Sequence, residues 1–150
     1  MTKLNGKKKF VMKMLVVAML VFFAAVAAPA TSHASAYGTQ YWGAFTANIS
    51  GQSVSIPSGQ LAHTIDGSGY HINWDSANFL SAANLCDPSI RFTYGYGAYR
   101  LDGNVHWGCS HIGGWKYALN WNAPRGQACA ELWPQNWRVL VARQCHYVYG

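Results

Sequence analysis

Five residues of the types used in acyl transfer fall within 13 positions: His63, Asp66, Ser68, His71 and Asp75. A serine hydrolase needs a nucleophile, a base bonded to it, and an acid that orients the base. Gly67-Ser68-Gly69 lacks the Gly-x-Ser-x-Gly elbow that exposes such a nucleophile, and it reads more simply as a hairpin loop. His63 shares an alternation face with Leu61 and Ile65, which predicts partial burial, whereas His71 alternates with Tyr70 and Ile72 and is expected to face solvent. Glycoside hydrolysis would need a pair of carboxylates. Four of the five acids, Asp66, Asp75, Asp87 and Asp102, sit beside turns or at a possible helix start. Glu131 lies on the polar face of its strand with Cys129 and Trp133. No pair stands out, so no catalytic residue is assigned.

Cys86, Cys109, Cys129 and Cys145 are an even set, which predicts two disulfides, and sequence alone leaves three connectivities open. A hairpin turning near Gly95–Ala98 would level Cys86 with Cys109, and a turn at Pro134–Trp137 would bring Cys129 to Cys145; this pairing is favoured. Zinc is the rival, because His111 and His146 lie close to Cys109 and Cys145. Neighbours on a strand point to opposite faces, however, and no Cys-x-x-Cys or His-x-x-x-His spacing is present. No metal and no cofactor are predicted.

The aromatic residues are the more suggestive feature. Trp133 and Trp137 flank a Pro-Gln-Asn turn, Tyr96 and Tyr99 flank a glycine-rich one, and Tyr37, Tyr41 and Trp42 lie together upstream. Flat rings beside Asn, Gln and Arg suit a saccharide, whose C–H faces stack on aromatics while its hydroxyls take hydrogen bonds. They also suit a protein partner, since Trp, Tyr and Arg are the usual interface anchors. The residues expected to bind are Trp133, Trp137, Tyr96 and Tyr99.

The elements that must position these groups have the period of strands. Ile90, Phe92, Tyr94 and Tyr96 alternate with polar or small residues, as do Trp115, Tyr117, Leu119 and Trp121, then Val105, Trp107 and Cys109, and Tyr70, Ile72 and Trp74. Weaker runs are 53–56, 61–65, 127–133 and 138–148. Turn signals fall at Ile56–Gly59, Asp66–Gly69, Asp102-Gly103, Ile112–Gly114, Ala123–Gly126 and Trp133–Asn136. Asp75–Asn84 is the one helical candidate, with Phe79, Ala82 and Ala83 at i, i+3, i+4. The pattern predicts an all-β fold, a small antiparallel sandwich or barrel with two disulfides and at most one short helix.

The first 36 residues read as a signal peptide: Lys3, Lys7, Lys8, Lys9 and Lys13, then 15 apolar residues (14–28), then Ala34-Ser35-Ala36 as a small-x-small cleavage signal, with a second possible cut after Ala34. Fifteen apolar residues fall short of the roughly 20 that span a bilayer. The expectation is a secreted monomeric domain over residues 37–150, with no membrane contact after cleavage. The leader takes five of the 11 basic residues and none of the five acids, leaving a net charge of +1. Scattered arginines at that balance exclude a phosphate-tracking surface, so nucleic acid is not an expected partner.

Two stretches, Pro124-Arg125-Gly126-Gln127-Ala128-Cys129-Ala130-Glu131-Leu132 and Val141-Ala142-Arg143-Gln144-Cys145-His146, resemble small secreted proteins of Gram-positive actinomycete bacteria. The resemblance implies export and paired cysteines, and carries no activity. The functional expectation is a binder of extracellular polysaccharide or cell-wall polymer. A secreted protein as partner (enzyme inhibition or antagonism) and a small hydrolase are the alternatives.

Overall fold

The computed structural model describes residues 35–149. The predicted leader lies outside them apart from Ser35 and Ala36. Ten strands follow in chain order: β1 (Ala36–Trp42), β2 (Phe45–Ile49), β3 (Gln52–Ile56), β4 (Gly59–Ser68), β5 (His71–Cys86), β6 (Ser89–Tyr94), β7 (Tyr99–Asp102), β8 (Cys109–Asn122), β9 (Gly126–Trp133) and β10 (Ala142–Val148). A short turn, α1 (Pro134–Trp137), separates the last two. All pairings are antiparallel. One sheet runs β1-β4-β5-β8 and the other β10-β9-β6-β7, with β2-β3 as a separate hairpin. The protein is an all-β sandwich with two disulfides.

Alternation along the strands builds the core. Leu61, His63 and Ile65 of β4, and Ile72, Asp75, Ala77 and Phe79 of β5, face Ile90, Phe92 and Tyr94 of β6 and Ala128, Ala130 and Leu132 of β9. Trp115, Tyr117, Leu119 and Trp121 pack on this core from β8 as their alternation predicts. One long seam is closed by β1 against β10. The other is tied by Tyr117 Oη donating to the Asp102 carbonyl (3.2 Å) and Trp115 Nε1 to the Asn104 carbonyl (3.0 Å).

Both disulfides have the expected pairing, and each joins residues directly opposite one another: Cys86 with Cys109 across β5–β8, Cys129 with Cys145 across β9–β10. Each closes a loop of moderate length, worth roughly 3 kcal/mol through the unfolded chain.

Four expectations are corrected. Residues 75–84 form strand rather than helix, because Asp75, Ala77 and Phe79 alternate inward and the apolar spacing at Ala82 and Ala83 belongs to an exposed bulge. The one short turn of helical character lies instead at Pro134–Trp137, and its backbone is left-handed at Gln135, Asn136 and Trp137. Gly113-Gly114 is not a turn but the middle of β8: a Cβ on Gly113 would enter the Phe79 ring, and one on Gly114 the Asn78 carboxamide. Residues 105–108 are loop, with Trp107 three-quarters exposed (75 %). Trp74 faces away from Ile72. Ile72 pairs with Gly67 and Trp74 with Asp66, so Asn73 is an inserted residue, and a β-bulge reverses the side that the next residues face.

Candidate functional site

The buried histidine is real, and it assembles a network rather than a triad. His63 and Asp75 are wholly buried on neighbouring strands, with His63 Nε2 2.8 Å from Asp75 Oδ1. Tyr94 Oη donates to Asp75 Oδ2 (2.8 Å), and His63 Nδ1 lies 3.2 Å from the Gln144 carbonyl. A carbonyl only accepts, so Nδ1 carries a proton, and a second proton lies in the Nε2–Oδ1 bond. The pair is therefore neutral overall. Burial, then the Asp75 carboxylate, raises the Tyr94 phenol well above its ordinary range, which keeps it a donor. His146 packs on His63 at 4.8 Å and donates from Nε2 to the His63 carbonyl (3.2 Å). Burial first, and then the nearby His63, lower the His146 pKa.

No nucleophile joins this network, because a main-chain carbonyl holds the second nitrogen of His63. Ser68 is exposed on the β4–β5 turn. Asp66 accepts from Asn73 (2.9 Å), and His71 bonds Asn122 (2.9 Å). The five residues that crowd together in sequence thus divide among separate networks. Among the described residues no group of three or more His, Cys, Asp or Glu is arranged to hold a metal.

Trp133 and Trp137 come together at one end of β6, 6.5 Å apart, with the Arg91 guanidinium 5.1 and 5.0 Å from their ring centres. They belong to a charged row straight across the outer face of the second sheet: Arg143, Glu131, Arg91 and Asp102 on successive strands. Arg91 bonds Asp102 (2.6 Å), Arg143 bonds Glu131 (3.3 Å), and Trp133 Nε1 donates to Glu131 (3.0 Å). Tyr99 packs on Trp121 (4.6 Å), and Tyr96 stands exposed above Gly126 at the β6–β7 turn. β6 separates the two pairs by roughly 17 Å of strand, so the four predicted rings do not form one site.

The outer face of the first sheet has another character. Register places Tyr37, Thr64, Ser76 and Lys116 in one row across the four strands. The next row is small: Thr39, Ala62, Asn78 and Gly114. The third is Tyr41, Gln60, Leu80 and Ile112. Tyr37 and Tyr41 are the exposed rings, 70 and 69 % accessible and about 13 Å apart along β1. Thr39 Oγ1 donates to Tyr37 Oη (3.1 Å), laying that ring along the strand. Trp74 sits beyond the first row with the Lys116 ammonium 4.1 Å from its ring centre. Two shallow clefts open here, about 460 Å³ beside Tyr41 and Leu80 and about 260 Å³ between Tyr37 and Trp74. Residues 35–65, which supply β1 and the first seven of the ten residues of β4, contain no Asp, Glu, Lys or Arg, and Asp66 follows.

Sequence reasoning noted Tyr37 and Tyr41 but missed this surface, because Trp74 was assigned to the core and β1 was not recognised. The available signal was the charge-free run itself, which keeps hydroxyl and amide residues between its apolar ones. No protein-family model, curated protein or solved structure matches the chain.

Proposed function

We propose that the protein is exported, loses its leader, and binds a polysaccharide through the outer face of the β1-β4-β5-β8 sheet. The observation that carries this reading is the pairing of two exposed tyrosine rings on β1 with hydroxyl and amide side chains on a face almost free of charge. Rings accept the C–H face of a sugar, and Thr39, Gln60, Thr64 and Asn78 offer bonds to its hydroxyls. The sandwich serves as a stiff support, so little entropy is lost when the face is covered. The leader pattern, the two disulfides and the lack of any helix among the described residues long and apolar enough to cross a membrane are compatible with action outside the cell. The test is retention on insoluble peptidoglycan, chitin and cellulose, with the supernatant assayed for released sugar. Retention without release is the expected result, and failure to be retained on any polymer overturns the reading.

A second reading, a protein-directed inhibitor or antagonist, is favoured by Trp107. Its ring projects from a loop braced at several points. His106 N donates to Pro88 O (2.9 Å), Gly108 N to Asp87 Oδ1 (2.8 Å), and the Cys86–Cys109 bridge follows at once. An exposed tryptophan on a rigid loop is a ready interface anchor. Inhibition of a secreted protease or lysozyme that Trp107→Ala abolishes would support it, and no inhibition across a panel of such enzymes would remove it.

A further inference from the structure

Resting on the polysaccharide reading, we infer that the ligand is a neutral glycan bearing acetamido groups, of the chitin kind, lying across the strands over Asn78. The middle row, Thr39, Ala62, Asn78 and Gly114, lies between a row that ends in Tyr37 and Lys116 and a row of Tyr41, Gln60, Leu80 and Ile112. It crosses all four strands, about 14 Å at ordinary strand spacing. The row runs from one sheet edge, β1, to the other, β8.

Asn78 is the polar centre of that row. Its carboxamide lies over Gly114 of the neighbouring strand, where any Cβ would collide with it. Glycine at 114 is what allows the amide to lie flat across two strands. A primary amide offers a donor and an acceptor side by side, the complement of an acetamido N–H and C=O. The Ala62 methyl lies directly beside it in register, an apolar seat for the acetyl methyl. Within the three rows the only charge is Lys116, whose ammonium is drawn over Trp74, and an anionic polymer would meet no cluster of cations there.

A site that hydrogen-bonds a substituent discriminates against the analogue lacking it. The purified, oxidised chain is expected to hold to chitin about tenfold more tightly than to cellulose. Asn78→Ala, a change on an exposed position, should bring the two affinities together with the unfolding transition unchanged. Gly114→Ala should do the same by displacing the amide. Equal retention of the unmodified chain on chitin and cellulose overturns the inference while leaving the polysaccharide reading intact. Preference that survives Asn78→Ala, or tighter retention on peptidoglycan than on chitin, also overturns it. Retention on none of the three removes the underlying reading, and this inference with it.

Discussion

His146 lies against His63 across the β1–β10 seam, its ring 4.8 Å from one whose far nitrogen is bonded to the buried carboxylate of Asp75. The seam is tight because Gly38 of β1 lies beneath Gln144 and His146, where a Cβ would overlap both side chains. The groups facing His146 are therefore His63 and, through it, Asp75.

This arrangement fixes a sign for the response to acid. The folded-state pKa of His146 is lowered below the ordinary 6.5, so the unfolded chain binds that proton more readily. Its contribution to stability is present above 6.5 and is lost as the pH falls below that value. Melting temperature followed from neutral pH downward should decline there, and His146→Gln, which keeps a donor to the His63 carbonyl, should flatten the decline. An unchanged slope in that variant would place the acid response elsewhere.

The opposite limb belongs to the tyrosines. Burial and Asp75 raise Tyr94, and burial and Asp102 raise Tyr117, above the ordinary 10.0. The folded state holds both protons more tightly than the unfolded chain, so stability falls as the pH rises above 10.0. Alkaline melts of Tyr117→Phe should show a shallower fall than those of the unmodified protein.

Breaking the buried pair has a predictable cost. His63→Ala removes the imidazole partner of the Asp75 carboxyl in a dry core, which costs about 3–5 kcal/mol. Replacing His63 and Asp75 together by Leu and Ala should cost less than His63→Ala alone, because no carboxyl is left without its imidazole partner. Urea denaturation of the unmodified protein and the two variants measures both quantities, and a double variant that loses as much as His63→Ala or more would show that the two residues do not act as a pair.

Ring substitutions separate the two aromatic groups. Tyr37→Ala and Tyr41→Ala should each weaken polymer retention by roughly five- to thirtyfold, about 1–2 kcal/mol, with the melting temperature little changed. Trp137→Ala should do the reverse. Its ring is engaged by Arg91 beside a strained turn, so stability falls by about 1–3 kcal/mol while retention stays. Binding assays and melts on the same samples distinguish the two patterns.

Much of the sandwich is legible in the sequence wherever alternation is unbroken. Leu61–Ile65, Ile90–Tyr94 and Trp115–Trp121 read correctly because each strand keeps one dry face. The turn at Pro134–Trp137 that brings Cys129 to Cys145 can also be read, whereas Cys86 meets Cys109 because β5 pairs with β8 and not through the Gly95–Ala98 turn, which joins β6 to β7. Reading fails where a neighbour overrides local pattern. Gly113-Gly114 looks like a turn until Phe79 and Asn78 are seen to fill the space above each glycine. Trp74 looks like core because nothing local marks Asn73 as an inserted residue. The three residues Gln135, Asn136 and Trp137 all take positive φ (57°, 52° and 66°), a left-handed turn that no glycine announces. Such residues cost about 1–2 kcal/mol each, and here Asn136 N bonded to Asp87 O and Arg138 bonded to Ser50 hold the turn in place. The outer face of the first sheet, proposed to bind, is half legible: its tyrosines stand out, but their alignment with Asn78 and Gly114 depends on a register four strands wide.

The charged row on the second sheet, Arg143-Glu131-Arg91-Asp102, has its counterpart in the near-neutral face of the first. The molecule therefore has a hydrophilic back and an electrically quiet front. Meeting a neutral solid, it would turn its front to the solid and its back to water without any long-range field to guide it. Adsorption governed by such contact should be nearly indifferent to salt, because few ions are displaced when the front is covered.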